Sequence, residues 1–69
     1  MKKYILFEDK VGDLFEIGRC KTLKEAVLVA KAEAILRTNT IYVTYDKEDS
    51  SFEIGFDPEG RQIWEKNSF

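Results

Sequence analysis

The sequence predicts an α+β fold, β-β-α-β-β(-β), in which one helix packs on one face of an antiparallel sheet. Three observations predict it. One stretch, residues 22–37, repeats its apolar residues at helical spacing, about 100° per residue. The segments on either side of it are rich in aromatic and branched residues and are punctuated by turn residues. The chain has 69 residues with four Gly, one Pro and no linker or low-complexity tract, which reads as a single domain, 1–69.

Residues 3–8 and 14–20 read as two strands, and the connection Asp9-Lys10-Val11-Gly12-Asp13 carries the Gly of a tight turn. Thr22 and Glu25 then form a capping box. The threonine hydroxyl accepts from the Glu25 amide and the Glu25 carboxylate reaches back to the amide of Thr22. Near the other end of the helix, Glu33 and Arg37 stand in the favourable i,i+4 order, and Asn39 tolerates the left-handed backbone beyond a helix terminus. Residues 40–45 alternate strictly, with Ile41, Val43 and Tyr45 on one side. Phe52, Ile54 and Phe56 share a face of the next strand. Asp57-Pro58-Glu59-Gly60 fits a type I turn, since Asp suits its first position, Pro its second and Gly its fourth. A short strand, 61–65, closes the sheet, and 66–69 read as a frayed end.

On this reading Ile5, Phe7, Phe15, Ile17, Ile41, Val43, Phe52, Ile54 and Phe56 face the helix. Tyr4, Leu6, Leu14, Glu16, Tyr42 and Thr44 face the other way. The helix has more apolar surface than one sheet layer can bury. Leu23, Ala26, Val27, Ala30 and Ala34 form the stripe expected on the sheet, while Leu28, Ala32, Ile35 and Leu36 form a second on the far side. That second stripe is the expected protein interface, bordered by Lys24 and Lys31, unless Trp64 or Phe69 folds over it. Tyr4, Leu6, Tyr42 and Trp64 form a second expected patch on the open face of the sheet.

The composition narrows the chemistry. No His is present, so Ser-His and Cys-His nucleophilic arrangements cannot be assembled within one chain. The single cysteine, Cys20, forms no internal disulfide and reads as a small buried hydrophobe, in accord with a reducing, cytoplasmic setting. The loop carboxylates Asp46, Glu48 and Asp49 lack the Gly and distal Glu of a calcium loop. Glu8 and Glu16 stand across the first hairpin, where a paired-carboxylate acid-base site can be imagined, but the sequence shows neither a pocket nor a sugar-stacking Trp beside them. No glycine belongs to a phosphate-binding loop. The expectation is therefore no catalytic residues, no cofactor and no metal.

The formal net charge of −2 gives no electrostatic footprint for nucleic acid, and the apolar run 4–7 is too short for a signal core or a membrane span. Protein, self or other, is the expected partner, with no membrane. A nucleic-acid-binding sheet that stacks bases on its tyrosines is the alternative, and it lacks the glycine-aromatic motif of a common RNA-binding sheet.

The helix opening Thr22-Leu23-Lys24-Glu25-Ala26 and the ending Phe56-Asp57-Pro58-Glu59-Gly60-Arg61-Gln62-Ile63-Trp64 resemble short uncharacterised bacterial and phage proteins with a T-L-x-E-A helix and a D-x-x-G-x-x-I/V-W terminal hairpin. The resemblance covers the layout of most of the chain. It implies an α+β fold and no particular activity. The second apolar stripe, and not the resemblance, carries the further alternative to self-association, a phage-type inhibitor that docks on a host defence protein.

Overall fold

Of the two faces of the sheet, one is closed by the helix and the other is open, and this division positions everything that follows. The computed structural model describes residues 3–47 and 51–66. Its elements are β1 (Tyr4–Lys10), β2 (Asp13–Cys20), α1 (Leu23–Arg37), β3 (Ile41–Tyr45), β4 (Glu53–Phe56) and β5 (Gln62–Lys66). All neighbouring strands are antiparallel, in the spatial order β2-β1-β3-β4-β5. The predicted fold class is the one observed, fifth strand included.

The first connection is tighter than the sequence suggested. Only Val11 and Gly12 lie between the strands, at φ 54° and 89°. Positive φ at both positions defines a type I′ turn, whose twist matches that of the strands it joins. The helix begins at the Thr22 cap, where the hydroxyl accepts from Glu25 N at 3.1 Å. Only this half of the capping box forms among the described residues. At the other end, Thr38 and not Asn39 takes the left-handed conformation, φ 57°, ψ 38°. Asn39 has another task, described below.

Directly paired residues share a face, so the register assigns the rows. Leu6, Val43 and Ile54 form the central row against the helix, and all three are buried. Glu8, Ile41 and Phe56 form the row on one side of it, and Tyr4 and Tyr45 that on the other, with Tyr4 also edge-on to Phe52. Ala26, Ala30 and Ala34 lie fully buried on this face, with Leu23 and Val27 packed beside them. Small residues let the helix approach closely enough for Phe56, Leu6, Ile41 and Val43 to fill the space between.

Strand β1 corrects the sequence reading. Its parity is the reverse of that expected, with Tyr4 and Leu6 under the helix and Ile5 and Phe7 on the open side. The cause is Glu8, which is buried beneath the end of the helix and bonded there by Arg37 and Asn39. Because side chains alternate strictly, one such residue fixes the face of all its strand neighbours. Phe15, opposite Glu8, keeps the expected parity but is half exposed on the edge strand. Both edge strands carry an extra residue, Ile17 in β2 and Ile63 in β5, opposite a continuous neighbour. Such bulges twist an edge away from further strand pairing.

Candidate functional site

Two surfaces carry the residues singled out from the sequence. The first is the outer face of α1. Leu28 is 62% and Leu36 76% exposed, and Ala32 between them is exposed as well. Ile35 is 57% exposed, yet its side chain rests against Gly60, whose added Cβ would lie 3.0 Å from Ile35 Cδ1. Trp64 does not cover this stripe, for it lies on the opposite face of the sheet, in register with Gly55. Phe69 lies outside the described residues. Lys31 leans away from the stripe, its Nζ 6.0 Å from the centre of the Phe56 ring.

The second surface is the open face of the sheet. Of its four expected members, Tyr42 and Trp64 are present, whereas Leu6 is fully buried and Tyr4 packs in the helix-side core. The reversal of β1 brings Phe7 and Asp9 there instead. Tyr42 lies over Gly55, where a Cβ would sit 3.0 Å from the tyrosine ring and 3.2 Å from Trp64 Cβ. What favours glycine here is space and not φ, for a Cβ would crowd both side chains. Asp9, Gly12, Leu14, Tyr42, Glu53 and Trp64 line an open cleft of about 390 Å³.

The charged groups fall into local networks. Arg37 reaches back along the helix to Glu33 at 2.6 Å, the i,i+4 pair expected from the sequence, and across to Glu8 at 2.8 Å. Asn39 Nδ2 donates to the other Glu8 oxygen, also at 2.8 Å. The Asn39 bond, with the Arg37 bond and charge in support and burial opposing, holds the Glu8 carboxyl below its usual range. Glu8 therefore faces away from Glu16, and the two carboxylates imagined as an acid-base pair are on opposite faces of the sheet. Glu16 instead binds Arg19 at 3.2 Å, and Arg19 continues to Asp46 at 3.0 Å. Asp46 is thus engaged in an ion pair, while Glu48 and Asp49 lie outside the described residues. Cys20 is buried, as expected.

No protein-family model, curated protein or solved structure matches the chain. Leu14 lies on the open face as expected, and the residues that sequence reasoning missed beside Trp64 are Asp9 and Glu53. A signal did exist in Gly55, a glycine within a strand, which marks the close approach of another group. No described helix is long and apolar enough to cross a membrane.

Proposed function

We propose that this chain is a non-enzymatic protein-interaction module that pairs with a second copy of itself through the outer face of α1. The observation that supports this reading is the uncovered stripe, Leu28 and Leu36 with Ala32 between them, diametrically opposite Ala26, Ala30 and Ala34. The stripe is also nearly self-complementary. Leu28-Val29-Ala30 before Ala32 is mirrored by Ala34-Ile35-Leu36 after it.

A two-fold axis passing through Ala32, with the helices antiparallel, sets Leu28 beside the partner's Ile35 and Val29 beside the partner's Leu36, each twice. The two Ala32 residues meet where the helices come closest. Such an interface is isologous, and antiparallel helices also oppose their dipoles favourably. Each large apolar side chain contributes roughly 1.5–3 kcal/mol when fully buried, against an association cost of about 4–15 kcal/mol. A weak dimer is the expected result.

Sedimentation equilibrium from micromolar to millimolar concentration tests it. The wild type is expected to dimerise, and Leu28→Lys with Leu36→Lys to give a folded monomer by circular dichroism. Ile35 is left intact because it supports Gly60. A wild type that stays monomeric throughout, or a double variant that still dimerises, overturns the reading.

A further inference from the structure

The arginines of the chain are all engaged. Arg19 is held by Glu16 and Asp46, Arg37 by Glu8 and Glu33, and Arg61 by Asp57 and Glu59. Asp9 and Glu53, both in the open-face cleft, have no ion-pair partner among the described residues. Lys66 stands opposite Glu53 in the β4–β5 register, yet it forms no ion pair with it. Each of the two carboxylates is instead anchored through one oxygen. Asp9 Oδ1 accepts from Gly12 N at 2.9 Å, and Glu53 Oε1 accepts from Trp64 Nε1 at 2.7 Å.

Anchoring of this kind leaves the second oxygen of each carboxylate without a described partner, beside two aromatic residues and Leu14. The lining thus combines negative charge with π-faces and contains no base. Phosphate or carboxylate ligands are repelled by such a lining, and cations are attracted by both parts of it. Among protein cations, guanidinium suits it better than ammonium. Guanidinium is planar and weakly hydrated, stacks on aromatic faces, and directs N–H donors from its edge toward carboxylate oxygens. The preparation of the site is also visible in its neighbours, for Gly55 leaves room for Tyr42 and the Glu53 bond holds the indole.

We propose that the open-face cleft binds an arginine side chain presented by an exposed segment of a partner protein. The inference is independent of pairing through α1, which uses the other side of the molecule.

Trp64 is the one tryptophan of the chain, so its fluorescence reports on the cleft directly. The probe is a blocked Gly-Arg-Gly peptide at low ionic strength, compared with the same peptide carrying citrulline, which has a similar shape without the charge. A saturable change in Trp64 emission is expected with the arginine peptide, and binding about tenfold weaker with citrulline. The double variant Asp9→Asn, Glu53→Gln keeps the acceptor oxygens for Gly12 N and Trp64 Nε1 while removing both charges. It is expected to lose a similar factor without a change in circular dichroism. Absence of saturation with the arginine peptide, equal binding of citrulline, or full binding by the double variant overturns the proposal. Amide shifts in NMR titration that cluster away from Leu14, Tyr42 and Glu53 overturn it as well.

Discussion

The two hairpins, β1–β2 and β4–β5, solve the same problem at opposite edges of one sheet and rely on different sources of stability. The second is held chiefly by its own turn, with Ile35 of the helix packed against Gly60. Pro58 presets the turn, Gly60 takes φ 82° at no steric cost, and Gly60 N donates to Asp57 O at 2.8 Å. The Asp57 carboxylate accepts from Glu59 N and Arg61 N and pairs with the Arg61 side chain. The Arg61 amide above all holds its carboxyl below the usual range. The first hairpin has a poorer turn. Val11 is fully exposed and sits at φ 54°, a conformation that a β-branched residue adopts only under strain. What compensates is tertiary, since Glu8 fastens β1 to the end of the helix through Arg37 and Asn39. A hairpin can be specified by its turn or by what its strand is tied to, and this chain uses one device at each edge.

Glu8→Ala breaks the tertiary device and is expected to produce the largest loss of stability in urea denaturation, because it removes both ties from β1 to the helix end and leaves a cavity where a buried side chain stood. Arg37→Ala is expected to follow it in direction. If both variants unfold at the wild-type urea concentration, the first hairpin does not depend on the helix.

Gly60→Val attacks the second hairpin's local device. Its side chain meets both a positive φ and Ile35 Cδ1, and the expected cost is about 2 kcal/mol by denaturant midpoint. Thr22→Ala touches neither hairpin and gives a reference of about 1 kcal/mol from the lost cap.

Val11→Asn is expected to gain stability, by about 0.5–1 kcal/mol, because asparagine tolerates the left-handed backbone that valine resists. A loss on this substitution would mean that the turn is unstrained.

The pH dependence reports on both hairpins at once. Both Glu8 and Asp57 have carboxyls depressed in the folded state. Their contributions are complete above the ordinary carboxylate range and are lost as the pH falls through it, from about pH 5 downward. Glu8→Gln and Asp57→Asn are each expected to flatten that acid limb in thermal melts at stepped pH. An acid limb that stays as steep in both variants would assign the loss to other carboxylates.

The sequence by itself determined the element order, the helix start at Thr22, the sheet-facing stripe of Ala26, Ala30 and Ala34, and the turn at Asp57-Pro58-Glu59-Gly60. Each of these rests on interactions within a few residues, so the residue types themselves state the answer. Strands β3 and β4 were legible for a similar reason, because each shows its buried face by alternation. Strand β1 was not. Tyr4-Ile5-Leu6-Phe7 is apolar throughout, as suits a strand flanked by β2 and β3, and it carries no alternation from which to choose a face. Only the tertiary structure decided it, by bringing Arg37 and Asn39 over Glu8 from about thirty residues away and so making a buried carboxylate favourable. The same decision sent Phe7 and Asp9 to the open face and made the cleft beside Trp64, while Leu28 and Leu36 stayed outward because the sheet has one helix-covered face and α1 already fills it.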